Sequence, residues 1–187
     1  MSRNPRQDPY EFALRAATLE DVPILERLVG ESARGLSRQD YTEEQIEAAL
    51  GTALGVDRQL IRDRTYFVVE AGGEVVGCGG WSWRATLFGG DAQEGRRADA
   101  LDPARDAARI RAFFVRPDWA RRGIGRALLE RCEAEARARG FRFAELMATL
   151  PGERLYGALG YRGEERIKHR LSGGVTIEFV PMRRKLE

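Results

Sequence analysis

The sequence predicts one α/β domain in which helices flank a mixed, mostly antiparallel central sheet. Its 187 residues are 43% hydrophobic and 32% charged, a balance that suits one compact domain able to bury roughly 70% of its unfolded surface. Runs rich in β-branched and aromatic residues alternate with stretches of helical periodicity. Two glycine-containing turns predict antiparallel hairpins, and one succession of strand, helix and strand predicts a right-handed parallel unit.

The first half of the chain carries the first group of predicted elements. Residues 1–10 are polar and contain two prolines, so we expect a flexible N-terminus before a single domain over residues 11–187. The elements predicted next are a strand over 12–16, a helix capped by Thr18, a helix that starts at Thr42, and a hairpin of strands 66–71 and 75–83 around Gly72-Gly73.

The second half contains the parallel unit and the closing strands. The predicted elements are a strand over 110–115, a helix over 124–139, a strand over 143–148, a helix over 151–159, and strands near 162–171 and 175–183. In the longest helix, the buried line recurs at i+4 steps and consists of Ile124, Leu128, Cys132 and Ala136. The polar, Gly-rich connection over 84–107 is interpreted either as a lid over a substrate or as a solvated loop.

The charge balance argues against a polyanionic partner. Lysine and arginine total 31 against 29 acidic residues, so the net charge is only +2 and attraction to nucleic acid or to an anionic membrane is weak. The sequence shows neither a membrane-spanning run nor an apolar leader, and we expect a cytoplasmic protein. Cys78 and Cys132 lack metal-ligand spacing, so they are interpreted as core residues and no metal site is predicted.

The stretch from Val115 into the longest helix has the features of a phosphate-binding turn. Gly123 and Gly125 permit a tight turn that directs the main-chain N–H groups of about residues 121–126 toward one point, at the positive end of the helix dipole. Arg121, Arg122 and Arg126 add positive charge there. The glycine pair alone is equally typical of an ordinary helix start with solvated arginines.

Two other phosphate-binding motifs fit this stretch less well. A Walker A loop requires Lys followed by Ser or Thr after its glycines, and Arg126-Ala127 stands there instead. A Rossmann turn requires a third glycine where Leu128 stands, and it requires a tight turn where seven residues, 116–122, separate the strand from the first glycine.

Two segments resemble the central motifs of the GCN5-related N-acetyltransferase (GNAT) family. They are Phe113-Phe-Val-Arg-Pro-Asp-Trp-Ala-Arg-Arg-Gly-Ile-Gly-Arg-Ala-Leu-Leu and Leu155-Tyr-Gly-Ala-Leu-Gly-Tyr161. The element order from residue 12 to 183 also fits, so the resemblance covers nearly the whole chain. It implies a sheet that is splayed in its middle, and transfer of an acetyl group from acetyl-CoA to a primary amine of a small molecule or peptide, by direct attack and without a metal. It also allows a homodimer.

The resemblance assigns two groups of residues to coenzyme A. The glycine turn holds the pyrophosphate on its amides, and the strand before it carries a bulge that frees main-chain groups for the pantetheine arm and an amide beside Phe114 for the thioester carbonyl. The residues implied are Phe113, Phe114, Val115, Arg121, Arg122, Gly123, Ile124, Gly125 and Arg126. Ala120 departs from the family pattern, which has Gln or Arg at that position.

The resemblance also suggests the residues that move protons. Tyr156 matches the tyrosine that protonates the departing thiolate, although a helix tyrosine can instead pack under the sheet. Glu145 is the candidate base, although strand alternation can instead turn it toward an arginine. His169, the single histidine, is interpreted as structural. The alternative function is a non-catalytic acyl-CoA-binding sensor that keeps the phosphate turn and lacks the proton-transfer groups.

Overall fold

A computed structural model describes residues 11–163 and 165–187, and the predicted flexible segment 1–10 lies outside the described residues. The strands are Ala13–Ala16 (β1), Tyr66–Ala71 (β2), Glu74–Ser82 (β3), Ala108–Val115 (β4), Phe143–Thr149 (β5), Arg162–Gly163 (β6), Ile167–Arg170 (β7) and Thr176–Lys185 (β8). The helices are Val22–Leu36 (α1), Glu43–Ala49 (α2), Arg58–Arg62 (α3), Ile124–Ala138 (α4) and Leu150–Ala158 (α5). No helix in this described part is long and apolar enough to cross a membrane.

The strands form one mixed sheet that is split near its middle. Its order is β1-β2-β3-β4-β5-β8-β6, with β7 also paired to β8, and β4 with β5 is the parallel pair among these strands. Their register joins Ala108 to Ala144 and Arg109 to Glu145, and the pairing ends there. Beyond Arg109 the two strands diverge and leave a wedge between them. The predicted fold class, with its mostly antiparallel splayed sheet, is therefore confirmed.

Helices cover both faces of the sheet because its strands alternate in the side chains that they present. On β2, Tyr66 and Val68 pack with α1, α2 and α3, whereas Phe67 and Val69 pack with α4. The predicted buried line of α4 is confirmed, since all four of its side chains are at most 1% exposed. Cys78 and Cys132 are buried and free.

The structure differs from the expected element list at two places. Helix α3 was not expected because it has only five residues, too few to show a periodic pattern. The single strand expected over 162–171 is instead two short strands, β6 and β7, each paired with β8. The polar residues Glu165 and Arg166 lie between them.

Candidate active site

A cavity of about 540 Å³ lies in the wedge where β4 and β5 diverge. Its floor is the second half of β4, and its sides are the C-terminal part of α1, the first turn of α4, the helix α5 and residues 87–89 of the long connection. Most of the wall is apolar, including Leu36, Leu54, Leu87, Phe88 and Phe179. This cleft contains both of the segments that the sequence singled out.

A β-bulge interrupts β4 beside the cleft. Gly80 pairs with Arg111 and Cys78 with Phe114, so one residue of β3 stands opposite two residues of β4, Ala112 and Phe113. Ala112 has a φ of 55°, in the left-handed region that L-residues rarely adopt. The bulge implied by the family resemblance is therefore present, and it lies in the strand that forms the cleft floor.

The bulge is fixed by contacts from the core and from β3. The buried Tyr66 hydroxyl donates to the Ala112 carbonyl at 3.0 Å. The Phe113 ring packs over Gly79, where a Cβ atom would lie 2.6 Å from a ring carbon. Any larger residue than glycine at position 79 would therefore displace the ring. These contacts make the distortion of β4 a permanent part of the fold.

The edge of β4 that faces the wedge carries a main-chain donor. The Arg116 amide bonds the Val76 carbonyl on β3, whereas the preceding Val115 amide points away from β3 and donates to the Ser32 hydroxyl of α1 at 3.2 Å. The Ser32 hydroxyl is therefore the acceptor of this amide. Phe113, Phe114 and Val115 all line the cavity, as the resemblance implies.

The connection from β4 to α4 ends in the glycine turn. Arg121 and Gly123 have φ values of 67° and 84°, and Gly123 is the N-cap of α4. The first helical bond runs from the Ala127 amide to the Gly123 carbonyl at 3.0 Å. The amides of Ile124 and Gly125, like that of Arg126, consequently have no acceptor within the helix. They lie at the positive end of the helix dipole of α4, a geometry that can bind an anion.

A glycine at position 125 lets α4 approach α5 closely. A Cβ atom there would lie 2.8 Å from Cδ2 of Leu155, so only glycine fits without moving the leucine. Leu155 and Gly125 both line the cavity, together with Gly123 and Ile124. The turn therefore has the space and the donors that a diphosphate requires.

The three arginines predicted beside this turn have different surroundings. Arg121 and Arg126 line the cavity. Arg126 is largely exposed and lies 3.9 Å from Glu130, a weak solvent-screened contact. The Arg122 guanidinium instead stacks over the Trp119 ring, with 4.7 Å from its carbon to the ring centroid. Two of the three arginines are thus brought to the cleft.

Tyr156 lies on α5 in the wall of the cleft. Its ring packs edge to face against Phe113 at 6.1 Å and Tyr161 at 5.9 Å between centroids, and the residue is 8% exposed. Burial raises the pKa of the Tyr156 phenol above its usual value. Like any tyrosine it is protonated at neutral pH and can act as a proton donor, and burial makes it a weaker acid than an exposed phenol.

Glu145 is not brought to the cleft. It lies at the closed end of the wedge, where β4 and β5 still pair, and its carboxylate forms an ion pair with Arg109. The next two residues, Leu146 and Met147, line the cavity, whereas Glu145 does not. The structure thus has the second of the two expected arrangements, in which the Glu145 side chain pairs with an arginine.

A buried ion network near the bulge was not predicted from the sequence. Asp57 is fully buried and its carboxylate contacts Nη1 of Arg111 at 2.8 Å and Nη2 of Arg96 at 2.7 Å. Arg111 belongs to β4 and lines the cavity, and Arg96 belongs to the long connection. The one local signal was the position of Asp57 before α3, where it accepts from the Gln59 amide as an N-cap.

This network attaches the long connection to the body of the protein. Arg96 also donates to the Gly90 carbonyl, and Nη2 of Arg111 donates to the Gly89 carbonyl at 2.6 Å. At the start of the connection, Arg84 pairs with Asp63. The residues that precede Gly89 thereby form one wall of the cleft, and the connection is more than a solvated loop.

His169 lies outside the cavity lining and packs on aromatic rings. Its imidazole meets Phe88 edge to face at 5.0 Å and tilts against Phe179 at 6.1 Å. Burial lowers the pKa of His169. These contacts favour the structural interpretation of the histidine.

Comparisons with protein-family models and with solved structures both give matches. The model of the acetyltransferase (GNAT) family matches residues 31–161. A search of curated proteins finds no match to this chain. Among solved structures, a GCN5-related N-acetyltransferase from Rhodopseudomonas palustris is 23% identical, with a TM-score of 0.69 over 93% of this chain and 95% of that one.

Two further solved structures were determined with the cofactor. The PaiA N-acetyltransferase from Thermoplasma acidophilum, in complex with coenzyme A, is 15% identical, with a TM-score of 0.64 over 94% of this chain and 99% of that one. The yncA protein from Salmonella typhimurium, solved with acetyl-CoA, is 18% identical, with a TM-score of 0.61 over 95% of each chain. At these identities the likeness shows a shared fold.

Proposed function

The chain belongs to the acetyltransferase (GNAT) family and is an acyltransferase, and we propose that it transfers the acetyl group of acetyl-CoA to a primary amine by direct attack on the thioester. The observation that carries the proposal is the joint placement, in one cleft, of the free amides at the start of α4 and the bulged edge of β4. Coenzyme A combines a diphosphate with an extended amide-bearing arm, and this cleft offers donors for both. The two neighbours solved with coenzyme A or acetyl-CoA support the same ligand.

Each part of the cleft has a distinct task in this proposal. The amides of Ile124, Gly125 and Arg126 hold the diphosphate, with the Arg121 guanidinium beside them. The edge of β4 over residues 113–115 bonds the pantetheine arm as an added strand would. An amide beside Phe114 polarises the thioester carbonyl and stabilises the oxygen charge that develops during attack.

The chemical step then needs one proton donor and one proton acceptor. The amine nitrogen bonds to the carbonyl carbon as the carbon–sulfur bond breaks and its electron pair leaves on sulfur. Tyr156 donates its phenolic proton to that thiolate, because its ring lies in the cleft wall and a phenol is protonated at neutral pH. The proton that the amine loses is relayed through water to the tyrosinate and restores the phenol.

We propose that the amine reacts in its neutral form without a side-chain base. Among the described residues that line the cavity there is no Asp, Glu or His. Desolvation and the nearby arginines both disfavour an ammonium ion, so the pKa of a bound amine falls toward neutrality. Glu145 remains in its ion pair with Arg109 and takes a structural role in this scheme.

Thiol release from acetyl-CoA across a panel of primary amines tests the proposal. We expect turnover on at least one class of amine, and calorimetric binding of coenzyme A that weakens when the glycine turn is altered. Tight coenzyme A binding without turnover on any amine would instead favour the sensor function. Absence of coenzyme A binding at millimolar concentration would exclude both functions.

A further inference from the structure

The charged groups that line the cleft all have the same sign. Among the described lining residues, the charged side chains are Arg111, Arg121, Arg126 and Arg154. Two of them lie at the start of α4, where the proposed diphosphate accounts for them. Arg111 lies at the opposite end, one residue before the bulge that would hold the thioester. The diphosphate is not expected to neutralise it there.

The surroundings of Arg111 leave part of its charge uncompensated. Its side chain is only 2% exposed, and the carboxylate that it contacts, Asp57, is shared with Arg96. Two guanidinium groups thus meet one carboxylate in a buried site. Burial also lowers the pKa of Arg111 to about 10. A buried cation in such surroundings favours a further anion nearby.

The Nε and Nη2 edge of the Arg111 guanidinium, which can bind a carboxylate with two hydrogen bonds, makes only one hydrogen bond. Elsewhere in this chain, Arg34 and Arg84 each grip a carboxylate with the fork formed by Nε and Nη2. In Arg111, Nη1 instead lies 2.8 Å from Oδ2 of Asp57 as an ion pair without a hydrogen bond, and Nη2 donates to the Gly89 carbonyl. Its buried Nε has no hydrogen-bond partner. An incoming carboxylate that replaces the Gly89 carbonyl would complete the fork with two charge-assisted bonds.

We propose that the acceptor amine carries a carboxylate, which Arg111 binds through Nε and Nη2, and that its body is apolar. This inference rests on the proposed function and narrows its substrate class to amino acids with apolar side chains. The position of Arg111 next to the bulge keeps the carboxylate close to the thioester, so the amine and the acid group belong on neighbouring atoms of the acceptor. The walls formed by Leu54, Leu87 and Phe88 accommodate the apolar side chain. A polyamine is a poor fit, because the charged residues among the described lining residues are all arginines, which would repel its ammonium groups.

The test compares amino acids with their amides, which differ only in the carboxylate. L-leucine, L-methionine and L-phenylalanine, each with its amide, are assayed for thiol release from acetyl-CoA and for calorimetric binding to the protein loaded with coenzyme A. We expect KM and Kd to be at least tenfold lower for at least one acid than for its amide, and spermidine to be a poor substrate. An amide is the less basic amine, so amine reactivity would favour the opposite order.

Substitution of Arg111 tests whether this residue causes the preference for the acid over its amide. Arg111→Lys keeps the charge and removes the fork, and we expect it to reduce the preference for the acid about tenfold, with the KM for acetyl-CoA unchanged. Arg154→Gln, a mostly exposed arginine on the other wall of the cleft, is the matched control and should keep the preference. Should Arg111→Lys not fold, the comparison of acids with amides on the wild-type protein decides the proposal alone.

The outcomes separate this inference from the proposed function. Acetylation of both members of each pair with equal or better use of the amides overturns the carboxylate site and leaves amine acetylation standing. Binding of an acid, but not its amide, without any turnover supports the carboxylate site and contradicts the transferase. A preference for the acid that survives in Arg111→Lys overturns the assignment to Arg111.

Discussion

The two ends of the cleft are built by different parts of the chain. At the start of α4, the donors are main-chain amides in a turn of adjacent residues, and the nearby Arg126 is largely exposed. At the other end, the donors belong to Arg111, a buried side chain held by Asp57, 54 residues earlier in the sequence. The first end therefore depends on backbone conformation, and the second depends on a buried charge network that also fastens the long connection.

This difference predicts that the two ends respond to different kinds of substitution. A binding site made of main-chain amides is disturbed by substitutions that change the backbone φ angle or place atoms in the site. Most other side-chain substitutions should leave its affinity unchanged. A buried charge network is disturbed by the loss of any one partner, because the remaining charges stay buried without compensation. Asp57→Asn and Gly123→Ala test this contrast, and Tyr156→Phe and Glu145→Gln test the proton-transfer assignments beside it.

The largest effect is expected for Asp57→Asn. Loss of this carboxylate leaves Arg111 buried without its counter-ion, so the free energy of unfolding should fall by about 3–5 kcal/mol in urea titrations. Asp91→Asn is the control, because its partner Arg58 is 40% exposed and the loss should be about 1 kcal/mol or less. Coenzyme A affinity of folded Asp57→Asn should stay within threefold, and equal losses in the two variants would contradict the network.

Tyr156→Phe should give the next largest effect, on turnover. The ring contacts with Phe113 and Tyr161 are kept while the proton donor is lost, so kcat should fall about 10²-fold. The Kd for coenzyme A should change less than twofold. Because burial raises the Tyr156 pKa above its usual value, deprotonation of the phenol should not reduce wild-type kcat up to about pH 10. A loss of affinity with unchanged kcat would contradict the donor role.

Gly123→Ala should disturb the main-chain end of the cleft moderately. A left-handed residue with a Cβ costs about 1–2 kcal/mol, and Gly123 has a φ of 84°. Gly73→Ala, in the β2–β3 turn at a φ of 81°, imposes the same backbone cost far from the cleft. Both variants should lose similar stability, and only Gly123→Ala should weaken coenzyme A binding, severalfold by calorimetry. Equal coenzyme A affinities of the two variants would contradict the role of the amides of residues 124–126 in binding the diphosphate.

Glu145→Gln should have the smallest effect. Its carboxylate pairs with Arg109 at the closed end of the wedge, so we expect kcat to change less than threefold and the pH profile of the rate to keep its shape. The matched comparison is Tyr156→Phe under the same conditions. Disappearance of the acidic limb of the profile in Glu145→Gln would restore this glutamate as the general base.

The parts of the site that were predictable from the sequence lie close together along it. The glycine turn was predictable because helix N-termini, glycines and arginines within about ten residues already define an anion site. Tyr156 could be placed in the cleft wall because its motif fixes its position on α5. The Arg111 end of the cleft could not be predicted in this way, since Asp57, Arg96 and Arg111 are far apart in sequence and come together only in the folded protein.

Strand alternation explains why the sequence does not determine whether the Glu145 side chain lies in the cleft. Residues of β5 alternate between the α4 face and the opposite face, and the sequence indicates neither where β4 and β5 stop pairing nor which arginine stands opposite. The structure ends the pairing at Arg109 and Glu145, so the glutamate lies just short of the wedge. A difference of one or two residues in that end point separates a structural ion pair from a residue in the cleft.

The bond from the Tyr66 hydroxyl to the Ala112 carbonyl has a kinetic consequence. Because the fold itself maintains the irregular backbone of β4, the edge proposed to meet the thioester needs no rearrangement, and we expect little ordering entropy to be lost when coenzyme A binds. The observed rate of coenzyme A capture in stopped-flow mixing should then increase linearly with concentration, without the plateau that a slow rearrangement would impose. In the proposed site, Tyr66, two strands away from β4, would thus contribute to the speed at which coenzyme A is captured.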